Sequence, residues 1–237
     1  MKKTIIITGA SKGIGKAVAL KMAANGHRLV LAGRNENELK QLIEECTKFN
    51  SECISVVVDL ARPEAAGIVI NTCIEQFAGL DVLINNAGVA NPFSVENTPL
   101  DQWDLMMAVN ARAPFLLCKK AIPYLKQSQL ATIINISSVV GRKGYINQAA
   151  YCASKHALTG FTKALAKEVQ PMGIRVHLLS PGGVATEMLA KTRPDLTNTG
   201  LIQPEEIAEI IEFLINKRGN AMIDEINVRR GSTQPFD

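Results

Sequence analysis

The chain has 237 residues, 47% of them hydrophobic, and its 26 basic and 22 acidic side chains leave a net charge of +4. That length and apolar content suffice for one large domain, expected over residues 1–237. So small and dispersed a charge argues against nucleic acid, no apolar run is long enough for a membrane span, and no leader precedes the first apolar run, so a cytoplasmic protein is expected.

The first element is a β-branched run, KTIIIT at residues 3–8, which reads as a buried strand. TGASKGIG follows at residues 8–15, with Gly9, Gly13 and Gly15 before a helix expected over 14–25. Glycines between strand and helix let the backbone turn tightly and approach a pyrophosphate, whose charge the helix N-terminus favours. A second strand over 28–33 ends in Gly33 and Arg34. A carboxylate there would hold the ribose 2′-OH of NAD, whereas a cation favours the 2′-phosphate of NADP. Arg34 offers a planar fork and Lys12, within the glycine turn, a point charge, so NADP(H) is the expected cofactor. Asn35 and Glu38 read as a capping box opening a helix over 36–48.

Further strands are expected over 53–58, 81–85, 131–137, 174–179 and 222–228, and helices over 64–77, 101–126, 148–169 and 204–217. The alternation implies βαβ crossovers and a parallel sheet. Within the helix over 101–126, the Asn110 carbonyl would accept from residue 114, but Pro114 has no N–H, so a distorted helix is expected there. Tyr151 and Lys155 are one turn apart and project from one helix face, with Ser138 at the end of the preceding strand. A nearby ammonium favours a phenolate, and a serine hydroxyl can hold a carbonyl oxygen against the phenol, an arrangement suited to proton transfer beside a hydride source. The irregular stretch over 183–203 is expected to be a substrate lid. Five cysteines (46, 53, 73, 118 and 152) lack CxxC spacing and read as reduced thiols, and the three histidines lack metal-ligand spacing.

These marks, in this order, resemble the classical short-chain dehydrogenase/reductase family along nearly the whole chain. They are the glycine motif, Asp59, NNAG at residues 85–88, Asn110, Ser138, YCASK at 151–155, and Pro181-Gly182 followed by Thr186. The resemblance implies an α/β fold, a single-domain Rossmann-type doubly wound parallel sheet of about seven strands with helices on both faces. It implies Asn110, Ser138, Tyr151 and Lys155 as the catalytic set, with the Asn110 carbonyl ordering a relay water. It also implies cofactor contacts from Gly9, Ser11, Lys12, Gly13, Ile14, Gly15, Arg34, Asp59 (adenine), Asn85, Ala87 and Gly88 (adenosine ribose), Tyr151, Lys155, Pro181, Gly182 and Thr186 (nicotinamide carboxamide). The expected activity is reversible, NADPH-dependent reduction of a small carbonyl compound. A 3-oxoacyl-[acyl-carrier-protein] reductase is the alternative, although Gln129 and Met172 stand where such reductases often carry arginines, and the ending INVRRGSTQPFD departs from theirs. A non-catalytic NADPH sensor is a remoter alternative, since the catalytic set is complete. Lys191 and Arg193 in the lid could meet a carboxylate. A homotetramer, or else a dimer, is expected through the helices over 101–126 and 148–169.

Overall fold

A computed structural model describes residues 1–196 and 200–235. Seven strands form one sheet: β1 (Thr4–Thr8), β2 (Arg28–Gly33), β3 (Cys53–Val57), β4 (Val82–Asn85), β5 (Thr132–Ile136), β6 (Arg175–Pro181) and β7 (Glu225–Val228). Their order is β3-β2-β1-β4-β5-β6-β7, and every pairing is parallel. Helices α1 (Gly13–Ala24), α2 (Glu36–Thr47), α3 (Ala65–Phe77), α4 (Leu100–Met107), α5 (Ala113–Leu125), α6 (Ala149–Val169), α7 (Glu187–Thr192) and α8 (Pro204–Asn216) complete it.

The continuous apolar strands follow from burial on both faces. Side chains alternate across the pleat, so Ile5 and Ile7 pack with α1, α2 and α8, while Ile6 packs with α3, α5 and α6. All three isoleucines have no exposed surface, and each such burial is worth roughly 1.5–3 kcal/mol. The chain winds outward from β1 in both directions, leaving a crevice at the carboxyl ends of β1 and β4, where the order reverses.

The helix expected over 101–126 is three segments. Between α4 and α5 lies a π-helical turn, Ala108–Arg112, in which the Ala113 N–H donates to Ala108, five residues back. Pro114 supplies the reason, having no N–H for Asn110 and a ring that crowds the preceding turn. The distortion falls at Asn110, as the proline predicts.

The stretch over 183–203 is not wholly irregular but contains α7. Thr186 caps it, its hydroxyl accepting from the Leu189 N–H at 3.3 Å. The ends of this stretch are tied together by Ala185 N–H to Ile202 at 2.8 Å and Ile202 N–H to Gly183 at 3.1 Å. Positions 197–199 of the expected lid lie outside the described residues. Ile223, Ile226 and Val228 pack partly buried against the α1–α8 side of the core, so this face of the tail is covered within the chain.

Candidate active site

The glycine turn is built by close approach. A Cβ at Gly15 would sit 2.1 Å from the Gly9 carbonyl oxygen, and one at Gly9, where φ is +61°, would sit 2.8 Å from Ala87 Cα. A Cβ at Gly13 would meet Thr186 Cγ2 at 2.9 Å. The turn is splinted to the segment after β4 by a residue that sequence reasoning passed over. Asn86 Nδ2 donates to the carbonyls of Thr8 (2.9 Å) and Gly9 (3.1 Å), while Thr8 Oγ1 accepts from the Asn86 and Ala87 N–H groups, both at 3.1 Å. Asn86 was visible within the NNAG motif, but its cross-strand role needs the β1–β4 pairing.

Two cavities meet at this turn. The larger, about 690 Å³, is lined by Gly9, Ser11, Lys12, Arg34, Asp59, Ala87 and Gly88. The smaller, about 240 Å³, is lined by Ile14, Ser138, Tyr151, Pro181, Gly182 and Thr186. The α1 N-terminus has no side-chain cap and no acidic residue in its first turn, so its first N–H groups keep their capacity for an anion. Arg34 has no ion-pair partner among the described residues. Lys12 instead bridges Glu187 at 2.9 Å and Glu38 at 3.0 Å, which hold its ammonium above the ordinary lysine range. Neither carboxylate partner of Lys12 was foreseen from the sequence. Asp59 accepts from the Ala61 N–H at 3.0 Å and so also forms its own turn.

Asn85 is a correction. Its side chain does not line the cavity but is buried in the core, donating to Asn135 Oδ1 at 2.8 Å. Asn85 is the last residue of β4, and the pleat directs its amide toward Asn135 on β5; Asn135 in turn donates to Thr162 at 2.8 Å. The wall expected of Asn85 is made instead by Ala87, Gly88 and Val89.

Ser138 and Tyr151 share the smaller cavity, where the Ser138 hydroxyl favours the ionised form of the Tyr151 phenol; Ser138 Oγ accepts from the Val140 N–H at 3.3 Å. Lys155 lies behind them, 3% exposed, donating to the Ile136 carbonyl at 2.8 Å, with its Nζ 5.9 Å from the Tyr151 ring centroid. A Cβ at Gly88, which lines the larger cavity, would come within 3.6 Å of that amine, so the lysine lies close behind that wall. Asn110 is fully buried. Its Oδ1 accepts from the Val89 N–H and its Nδ2 donates to the Val89 carbonyl, both at 2.8 Å, and to Ser154 Oγ at 2.9 Å. Ser154 passes the link on to the Tyr151 carbonyl at 2.8 Å, so Asn110 clamps the post-β4 segment to the catalytic helix.

The expectation that Lys155 lowers the tyrosine pKa is not met, since the phenol lies above its ordinary value. Burial pushes the Tyr151 phenol up to about 12, only partly opposed by the Ser138 hydroxyl. Burial likewise pulls Lys155 down to about 8. Desolvation disfavours the charged form of each group, and it is the leading cause of both shifts. Tyr151 therefore keeps its proton throughout the neutral range, as a proton donor must.

Comparison with known proteins agrees with this geometry. The short chain dehydrogenase family model matches residues 3–197. The chain belongs to the short chain dehydrogenase family. A 3-oxoacyl-[acyl-carrier-protein] reductase of Synechocystis sp. is 35% identical over 227 residues, covering 92% of this chain and 91% of that protein. Among solved structures, a metagenomic short-chain oxidoreductase in complex with NADP is 30% identical, with a TM-score of 0.84 and 96% of each chain covered. The L-sorbose reductase of Gluconobacter frateurii, complexed with NADPH and L-sorbose, is 28% identical, with a TM-score of 0.90, covering 97% of this chain and 96% of that one. Family membership makes the chain an oxidoreductase acting between CH–OH and C=O groups.

Proposed function

We propose that this protein reduces a small carbonyl compound to its alcohol with NADPH, and runs the reverse reaction when alcohol and NADP are in excess. The observation carrying the reading is that Ser138 and Tyr151 line the smaller cavity while the Lys155 amine lies behind them beside Gly88 of the larger one. The larger cavity suits a dinucleotide: glycines leave room that a Cβ would fill, an uncapped helix N-terminus faces it, and Arg34, without an ion-pair partner among the described residues, is a cation for a 2′-phosphate. When bound, the nicotinamide supplies hydride to the carbonyl carbon. Ser138 holds the carbonyl oxygen and polarises it, and Tyr151 gives its phenolic proton to that oxygen. Lys155, reaching toward the cofactor side, holds ribose hydroxyls and returns a proton to the tyrosine. Asn110 keeps the post-β4 wall and the catalytic helix in register, and its carbonyl, denied its ordinary α-helical donor by Pro114, is suited to order the relay water.

NADPH is expected to exceed NADH in kcat/KM by at least about tenfold, equivalent to roughly 1.4 kcal/mol. Arg34→Asp should narrow or invert that ratio, measured over a panel of ketones and aldehydes. A wild-type protein that prefers NADH would overturn the assignment of Arg34.

The Synechocystis relative supports a second reading, 3-oxoacyl-[acyl-carrier-protein] reduction. Gln129 and Met172, uncharged where a carrier-docking arginine is expected, weigh against it. Comparing a carrier-bound 3-oxoacyl substrate with its small-molecule analogue separates the two.

A homotetramer is the assembly we propose. Leu100 and Trp103 on α4 are 74% and 38% exposed, and Phe115 on α5 (45% exposed) meets Phe161 on α6 edge-on at 5.7 Å. Aromatic and aliphatic surface on these adjoining helices suits burial against a second copy. Light scattering at micromolar concentration is expected to give about four times the 25.6 kDa chain mass, and a value of one chain mass would rule the assembly out.

A further inference from the structure

The smaller cavity has a charge asymmetry that carbonyl reduction alone does not require. Its lining includes the basic side chains Lys143, Arg193, Arg229 and Arg230, and no Asp or Glu among the described residues. These cations are not equivalent. Arg193 is neutralised by a two-point pair with Asp195, Nε to Oδ1 at 2.8 Å and Nη2 to Oδ2 at 2.6 Å. Arg229 turns back on the tail, donating to the Thr233 carbonyl at 2.7 Å and the Arg230 carbonyl at 3.1 Å. The guanidinium of Arg230 has no carboxylate within ion-pair distance among the described residues.

The backbone is built to present that one side chain. The Arg230 carbonyl accepts from the Thr233 N–H at 3.1 Å and the Thr233 hydroxyl at 2.8 Å, which closes a turn just after β7. β7 is held to the Pro181-Gly182 turn by the Gly182 N–H, which donates to Val228 at 2.7 Å. The arginine stem then crosses Gly183, where a Cβ would sit 3.3 Å from Arg230 Cδ and 3.6 Å from its Nε. A glycine at 183 therefore leaves the passage open through which the guanidinium reaches the cavity that holds Ser138 and Tyr151. Lys191, suspected from sequence of meeting a carboxylate, does not line this cavity; it donates to Asn91 at 3.1 Å.

We propose that Arg230 is an anion anchor in the substrate cavity, and that the protein acts on small carbonyl compounds bearing an oxyanion, a carboxylate above all. An unpaired guanidinium presents parallel N–H donors that match a carboxylate at two points. A cavity of about 240 Å³ lies at the small end of ligand sites, which favours short oxo acids over long chains. The inference rests on the proposed carbonyl reduction: C=O gains hydride on carbon from NADPH and a proton on oxygen from Tyr151, leaving a hydroxy acid and NADP⁺.

The test compares 4-oxopentanoate with its methyl ester, alongside an oxoalkyl phosphate of similar length, in wild type and in Arg230→Gln and Arg230→Lys variants. The wild type is expected to favour the acid over the ester by at least about tenfold in kcat/KM. Arg230→Gln should collapse that ratio to near one, mainly through the KM of the acid, while Arg230→Lys keeps part of it. A preference for the phosphate over the carboxylate that disappears in Arg230→Gln would keep the anchor and reassign the anion. A wild-type acid-to-ester ratio near one, or a ratio that Arg230→Gln leaves unchanged while the KM for NADPH rises, overturns the proposal. Thermal shift with unreactive pentanoate in the presence of NADP⁺ reports the anchor without turnover. Stabilisation lost in Arg230→Gln, with no ketone reduced, would retain the anchor and reject the proposed reaction. Neutral ketones reduced, with no pentanoate shift and no acid preference, would do the reverse.

Discussion

Replacing Tyr151 with phenylalanine is expected to lower kcat by about 10²–10⁴-fold, or roughly 3–5 kcal/mol of barrier, while leaving the fold and NADPH binding in place. Only the hydroxyl is lost, from a ring that shares its cavity with Ser138. Steady-state reduction of any accepted ketone, with NADPH binding followed by fluorescence, measures both halves. A variant that binds NADPH and reduces near the wild-type rate would end the mechanism. The pH profile carries a related expectation. Because burial holds the phenol near 12, reduction should not lose its donor below about pH 10, and a limb near pH 8 in the free protein belongs to Lys155. That limb should be absent from the residual activity of Lys155→Met.

Lys155→Met is expected to act in opposite directions on function and stability. Reduction and NADPH affinity should both fall steeply, because one ammonium serves the ribose and the proton relay. In the cofactor-free protein at pH 7, however, the variant should be the more stable, since the buried ammonium costs free energy that a thioether of similar length does not. The folded pKa of Lys155 is near 8, below its ordinary 10.5. Between those values the unfolded chain binds more protons than the folded one, so this site's contribution to stability rises with pH across that window. The difference of 2.5 units corresponds to about 3 kcal/mol, reduced by the Ile136 carbonyl that loses its donor. In Tm that amounts to several degrees for a chain of this size, shrinking toward pH 10.5. A melting series in which the variant is less stable at pH 7, or in which the gap does not narrow with pH, would contradict the buried charge.

Much of the site was legible in the chain because its chemistry is local. Glycines at 9, 13 and 15 declare a close approach before any partner is known, and Tyr151 and Lys155 declare a shared face through helical spacing alone. Pro114 even located the π-helical turn, since a missing N–H is a covalent fact. Arg230 was different: nothing in INVRRGSTQPFD distinguishes it from Arg229 until the fold shows one guanidinium turned back on carbonyls and the other crossing Gly183.

What the sequence determined by itself was the set of strands and the parallel class of the sheet. Each of these depends on side-chain type and on periodicities of two or 3.6 residues. What only the tertiary structure decided was where long-range partners meet. Asn85 entered the core while Asn86 turned to the glycine loop, Lys12 was taken up by Glu38 and Glu187, and burial raised the Tyr151 phenol that Lys155 was expected to lower. Hydrogen bonding, ion pairing and desolvation depend on distances between residues far apart in the chain, and those distances exist only once the sheet has ordered its strands.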